Sequence, residues 1–571
     1  MWTGRACIIA LALLSSVPLA AQSYPDVVDQ SLYVRVRDGT RLAISIYRPA
    51  TGATPTNARL PVVFAFTPYR ARFLGPDGKI NEVALNDNLG MRSLLRAGYV
   101  VAVADIRGKG ASFGHRRGFQ DRTEAQDGYD LVEWLAKQPF ADGKVGMVGC
   151  SYLGGSAFQV ATTAPPPLKA AFIGASDLDK YSFVRNGGIT AQFNTRPDEL
   201  PEVDLATIPM DEDRDGTMLR AAVAEHADNT PMGPLWYGMP FRDSTSSFTG
   251  SRFWEEVGPY TYLDKVRNAG IATYFWGNWR DEPTSQVVLS AANLGSRFLA
   301  GPGGHCVPPP GFDLPGEIVG FFDHYLKGAN PHYDALPRAN YWVEGLGGKS
   351  GEWVASNQLP GIESHAVPWF LGPASTDTHS GTLGLSNRLG VAADGFTVDY
   401  DLPPADYFAF WPQPMGEHGL SYASAALEED LKLIGYPVAQ LRVAADNPQA
   451  DVFVYLDHVK ADGTSEVISF GRLKLTHYPL AQAPYETLGL PWHSGREADV
   501  ARVAAGEWVP LAIAMTPVSL VVPAGDSLRL VVAGADPRQR NIKDIQLDPA
   551  PRISVGTGGL GGSRINLPVS R

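Results

Sequence analysis

The stretch KVGMVGCSYLGG, Lys144–Gly155, decides the fold. Short apolar residues run into a glycine-flanked serine, and Gly154 and Gly155 open a helical pattern reaching to about Thr163. Strand, sharp turn and helix place Ser151 at the apex. Such a turn strains the backbone of the serine and lifts its hydroxyl out of the sheet, and its neighbours must be small to avoid collision. The strict form of this elbow is G-x-S-x-G. Here the second glycine falls one place late, at Gly154, with Leu153 in its slot.

Outward from the elbow, strands and helices alternate. Pro61–Thr67 reads as a buried strand ending at Pro68-Tyr69, Met91–Ala97 as a helix, Tyr99–Ala104 as a buried strand and Thr123–Lys137 as a helix. Beyond the elbow come strands at Leu168–Gly174, Ile271–Trp276 and Arg297–Gly301, then a helix at Glu317–Lys327. That succession predicts a parallel sheet covered on both faces. Ser31–Pro49 precedes it as a hairpin turning at Asp38-Gly39. Between Asp177 and about Asn268 no strand period survives, and helical pieces such as Met218–His226 alternate with proline-rich loops; this segment reads as a cap over the elbow, shaping a pocket and limiting water. From about Pro337 to Arg571 short alternating runs such as DVFVYLDHV (Asp451–Val459) and SLRLVVAG (Ser527–Gly534) predict a β-sandwich.

A serine at neutral pH needs a base to take its proton and a carboxylate to fix the base's tautomer. His305, in GPGGHC, follows the strand ending at Gly301; Asp281, in GNWRDEP, follows the strand ending at Trp276. The order Ser151, Asp281, His305 is that of an α/β-hydrolase. Glu282 is the alternative carboxylate, and each partner alone also reads as an ordinary loop residue. The backbone N–H of Tyr152 would stabilise the oxyanion. Tyr69 would supply a second donor from its hydroxyl, or else merely pack.

Together, Pro68-Tyr69, DIRGKGASFG (Asp105–Gly114) and DGYDLVEWLAKQPFADGKVGMVGCSYLGG (Asp127–Gly155) resemble the cocaine esterase and X-Pro dipeptidyl-peptidase family of serine hydrolases. In that family the elbow is G-x-S-Y-x-G, which accounts for the displaced glycine. The resemblance implies an α/β-hydrolase core (22–176 and 269–335), a helical cap (177–268) and a C-terminal jelly roll (336–571), to which SYASAALEEDLKLIGYP (Ser421–Pro437) and INLPV (Ile565–Val569) are similar. It implies Ser151 as nucleophile, Asp281 as acid, His305 as base, and Tyr69 with the N–H of Tyr152 as oxyanion donors. It implies no cofactor and no metal. The substrate is expected to be a small-molecule ester or activated amide, with X-Pro dipeptide release as the alternative. Amino-acid ester hydrolases of the family hold an ammonium with acids in the cap. The matching stretch YSFVRNGG (Tyr181–Gly188) carries Arg185 and no carboxylate, which argues against a substrate bound that way. A reading from another class is a carbohydrate- or surface-binding sandwich with a dead core.

Length and composition agree with two or three domains. Met1–Ala21 reads as a secretory signal, with Arg5 before the apolar Ile8–Leu14 and small residues at Ala20-Ala21, so the protein is expected in the periplasm or the medium. The net charge of −12, becoming −13 without Arg5, disfavours nucleic acid and anionic membranes as partners. A homo-oligomer is left open. Cys7 lies in the leader, leaving Cys150 and Cys306, which flank Ser151 and His305 and are expected to pack as thiols rather than pair. Asp211, Asp213, Asp215 and Gly216 imitate a Ca²⁺ loop, but Ala222 stands where its glutamate belongs, so a solvated acidic loop is expected. His115-Arg116-Arg117 likewise reads as a solvated loop, with an anionic substrate as the alternative.

Overall fold

The computed structural model describes residues 24–570 apart from 86, 191–197, 376–378, 404, 406–408 and 540–541. The leader reading of Met1–Ala21 lies outside the described residues. β1 (Asp26–Arg35) and β2 (Arg41–Thr51) form the hairpin, with Gly39 in its turn at φ +90°. A two-residue β3 (Thr54–Pro55) folds back on the end of β2. There follow β4 (Leu60–Thr67), a separate ribbon of β5 (Arg72–Leu74) and β6 (Ile80–Glu82), α1 (Met91–Arg96), β7 (Val100–Asp105) and α2 (Arg122–Ala136). The elbow strand β8 (Ala141–Cys150) begins four residues before Val145 and leads into α3 (Tyr152–Ala161) and β9 (Leu168–Gly174).

Short helices α4 (Lys180–Val184), α5 (Thr217–Glu225), α6 (Met232–Tyr237), α7 (Phe253–Val257) and α8 (Leu263–Ala269) fill the stretch before β10 (Ala272–Asn278). The sheet continues with α9 (Thr284–Leu294), β11 (Arg297–Gly301), α10 (Leu314–Lys327) and β12 (Ala339–Gly345), on which Glu352–Ser356 pairs antiparallel at the far edge.

Strand order is β1-β2-β7-β4-β8-β9-β10-β11-β12; the strands from β7 to β12 are parallel, and the hairpin closes one edge antiparallel. Because both faces are covered, the parallel strands are apolar without alternation. Phe64, Phe66, Ala102 and Ala104 pack with Leu131 and Leu135 of α2 and Phe158 of α3. The intervening Val63, Ala65, Val101 and Val103 pack on the other face with Leu94 of α1 and Phe321 and Phe322 of α10.

The C-terminal part is predominantly β, with a core of its own. DVFVYLDHV is a strand (Asp451–Val459) lying antiparallel between Ser465–Lys474 and Ser527–Ala533, and its Val452, Val454 and Leu456 enter one core with Leu528, Leu530 and Val532. β12 belongs to both parts: Ala339–Tyr341 pair with β11, while Glu344 and Gly345 pair with Leu520 and Val521.

The acidic loop entering α5 is solvated at Asp211, Glu212 and Asp215, as expected, but Asp213 is buried and accepts from the N–H groups of Met218 and Leu219, capping α5, while Asp211 accepts from the N–H and hydroxyl of Ser31, tying the loop to the hairpin. The other loop expectation is corrected. In the His115 loop only His115 is exposed: Arg117 pairs with Glu256 of α7, and Arg116 lies 5.8 Å from the Tyr152 ring centre. Among the described residues, no helix is long and apolar enough to cross a membrane.

Candidate active site

All five site residues read from the sequence stand where parallel strands end at one edge of the sheet: Tyr69 after β4, Ser151 and Tyr152 after β8, Asp281 after β10 and His305 after β11. Ser151 has φ 60° and ψ −129°, a conformation that L-residues rarely adopt, and its N–H donates to the carbonyl of Gly174 (3.0 Å). The displaced glycine has a steric cause. The first turn of α3 lies on the end of β9, so a Cβ at Gly154 would strike the carbonyl oxygen of Gly174, and one at Gly149 would strike the backbone of Leu153. Leu153 itself is buried in the core. Tyr152 opens α3, where a backbone N–H has no partner within the helix and lies at the positive end of its dipole.

His305 Nδ1 lies 3.1 and 2.9 Å from the two carboxylate oxygens of Asp281, whose side chain is only 1% exposed. Burial raises the pKa of Asp281, and the hydrogen bond and charge of His305 oppose it. Burial pushes His305 down, but the hydrogen bond and charge of Asp281 outweigh it and leave its pKa raised. The imidazole also packs on the ring of Phe410, with centroids 4.8 Å apart. Glu282 turns elsewhere and accepts from Arg472 (2.9 Å), so of the two adjacent acids Asp281 is the one on the histidine.

Tyr69 is 47% exposed, with its ring 6.3 Å from that of Tyr152. Its loop is fixed by Asp105, the first residue of DIRGKGASFG. This buried carboxylate accepts from the N–H groups of Ala71 (2.6 Å) and Ala111 (2.9 Å), and burial pushes its pKa up to about 7. In the same motif Arg107 makes a two-pronged pair with Asp127 of α2.

The thiol expectation is wrong. Cys150 and Cys306 form a disulfide, with Cα atoms 6.0 Å apart, because Cys306 takes a left-handed turn (φ 55°) that folds the glycine-rich loop back to the end of β8.

The X-Pro dipeptidyl-peptidase (S15 family) profile matches residues 38–307, and that of the X-Pro dipeptidyl-peptidase C-terminal non-catalytic domain matches residues 331–544. The chain belongs to the X-Pro dipeptidyl-peptidase (S15) family. It is 27% identical over 620 residues to a Mycobacterium bovis protein provisionally named a serine esterase, covering 94% of this chain and 95% of that one. It is 24% identical over 573 residues to cocaine esterase from Rhodococcus, covering 89% and 91%. A CocE/NonD family hydrolase from Staphylococcus aureus has the same fold, with a TM-score of 0.73 at 19% identity, covering 95% of this chain and 93% of that one. The protein is therefore a serine hydrolase, and the binding-protein reading falls.

In this S15 chain the support beneath Tyr152 has no signature in the residues around the elbow. Its hydroxyl donates to Glu124 (2.7 Å), and its carbonyl accepts from Gln120 Nε2 (2.9 Å). Glu124 also accepts from Ser156, and its burial pushes the pKa up to about 7. Gln120 in turn accepts from Lys180 (2.9 Å), which pairs with Asp177 (2.6 Å) on the loop after β9. Among the described residues, no group of three or more His, Cys, Asp and Glu side chains is placed to hold a metal ion.

Proposed function

We propose that this S15 hydrolase cleaves a carboxylic ester or an activated amide through an acyl-enzyme. Ser151 attacks the carbonyl while neutral His305 takes its proton; Asp281 holds the imidazole tautomer and stabilises the imidazolium. The tetrahedral oxyanion receives hydrogen bonds from the Tyr152 N–H and the Tyr69 hydroxyl. His305 then protonates the leaving group, and water deacylates the enzyme. The helical segment 177–268 serves as a cap, 336–571 as a jelly roll, and the leader exports the chain.

The observation that carries this reading is the Asp281–His305 hydrogen bond on the strand ends next to Ser151 in its strained turn. The choice of an ester over a substrate with a free ammonium rests on the neighbouring acids. Asp177 is already paired with Lys180 and Glu282 with Arg472, while Arg185 donates to the carbonyl of Trp236. The family model favours the second reading, release of X-Pro dipeptides.

Hydrolysis of a short-chain aryl ester is compared with that of an X-Pro anilide bearing a free amino end, for wild type and Ser151→Ala. The ester should give the higher kcat/KM, and Ser151→Ala should abolish both turnover and fluorophosphonate labelling. Faster cleavage of the anilide would reverse the substrate choice; an active Ser151→Ala would reject the mechanism.

A further inference from the structure

We propose that the Cys150–Cys306 disulfide is a positioning element of catalysis, setting the base against the nucleophile. This rests on the reading of Ser151 as nucleophile and His305 as base. Cys150 immediately precedes Ser151 and Cys306 immediately follows His305, so one covalent link joins the two catalytic segments across 156 residues of sequence.

The two ends of the link differ. Cys150 ends β8, is buried, and packs in the core face that includes Ala175, Trp276 and Leu299. On either side of His305, which rests on Phe410, the base loop is open: Gly303, at φ +104°, has no atom within 4 Å of where a Cβ would stand, and Val307 is exposed. Its hydrogen bonds run to the acid segment. Asn278 Nδ2 donates to the carbonyls of Gly304 (2.7 Å) and Val307 (2.8 Å), and the N–H of Arg280 donates to Gly303 (3.0 Å). Those bonds hold His305 to Asp281. The disulfide holds the pair to Ser151, anchoring a pliable loop on a rigid strand end.

Cys306 is only partly buried, so a reductant can reach it. Dithiothreitol would deliver two electrons and two protons, giving two thiols and its own cyclic disulfide. The reduced enzyme would keep its Asp281–His305 pair, and hence the same acid-limb midpoint in its pH profile, but would deliver the base less accurately. A displacement near 1 Å lowers the rate by about 100-fold, so kcat should fall by about 10- to 100-fold with KM little changed.

The test uses the full-length protein carrying Cys7→Ser, so that Cys150 and Cys306 are the cysteines counted. Thiols are counted in denaturant before and after reduction, ester turnover is measured in both states, and oxidised glutathione is then added back. Support is no free thiol before and two after, a kcat loss of the stated size with an unmoved pH midpoint, and recovery on reoxidation. Cys150→Ala/Cys306→Ala should match the reduced enzyme and ignore dithiothreitol; if it misfolds, the reduction cycle alone decides. Two free thiols in the untreated protein would overturn the proposal. So would full reduction that lowers the melting temperature but leaves kcat intact, since the bond would then be merely structural. An active Ser151→Ala would instead remove the underlying assignment, whatever reduction does.

Discussion

His305 is held between opposed influences. Burial lowers its pKa and the Asp281 carboxylate raises it by more, so the proton stays on to a higher pH than the ordinary value of about 6.5. A general base works only when neutral. The kcat/KM of ester hydrolysis should therefore fall as pH drops through a midpoint above about 6.5. Asp281→Asn removes the raising influence and leaves burial, so the midpoint should move below about 6.5 while kcat drops by about 10⁴-fold. A pH–rate series on both proteins checks the sign, and an unmoved midpoint would mean that Asp281 does not face the base in solution.

The elbow is an element whose shape depends on absent side chains. At Gly154 a Cβ meets the Gly174 carbonyl, which is strand backbone and cannot retreat; at Gly155 it meets the end of the Gln120 side chain, which can. Gly154→Ala should cost about 3 kcal/mol or more and displace Ser151, whereas Gly155→Ala should cost less and act through Gln120 and Tyr152. Denaturant titration and fluorophosphonate labelling rates should rank them in that order. The elbow, the parallel strands and the loops carrying Asp281 and His305 were legible because each is written in a few adjacent residues. Phe410 against His305 and Arg472 against Glu282 were not, since contacts spanning more than a hundred residues leave no local pattern. The cysteines flanking the site could be seen, but their pairing needed the left-handed turn at Cys306, which no residue type announces.

At the scale of the whole molecule, buried charge joins the helical stretch to the β-rich part. Asp179 caps α4 and accepts from Arg242 (2.8 Å) and the Tyr485 hydroxyl (2.7 Å), while Arg242 also donates to the carbonyl of Ser494 (2.6 Å). Burial raises the pKa of Asp179, but Arg242 outweighs it and holds the carboxylate below its ordinary range. Arg242→Ala would strand that charge and should cost about 3–5 kcal/mol, measured by denaturant unfolding. Arg242→Lys should restore only part, because one ammonium cannot reproduce the guanidinium fork.

The strand shared by the two parts also orders events during synthesis. β12 leaves the ribosome early, yet the partners of its second half, Leu520 and Val521, follow about 175 residues later, a delay of roughly 10–35 s at ordinary elongation rates. Phe410, Arg472 and Tyr485 belong to the same late-emerging length of chain. The nascent hydrolase thus carries its serine, acid and base long before the surroundings that complete them, and it becomes a finished enzyme only when translation is nearly over.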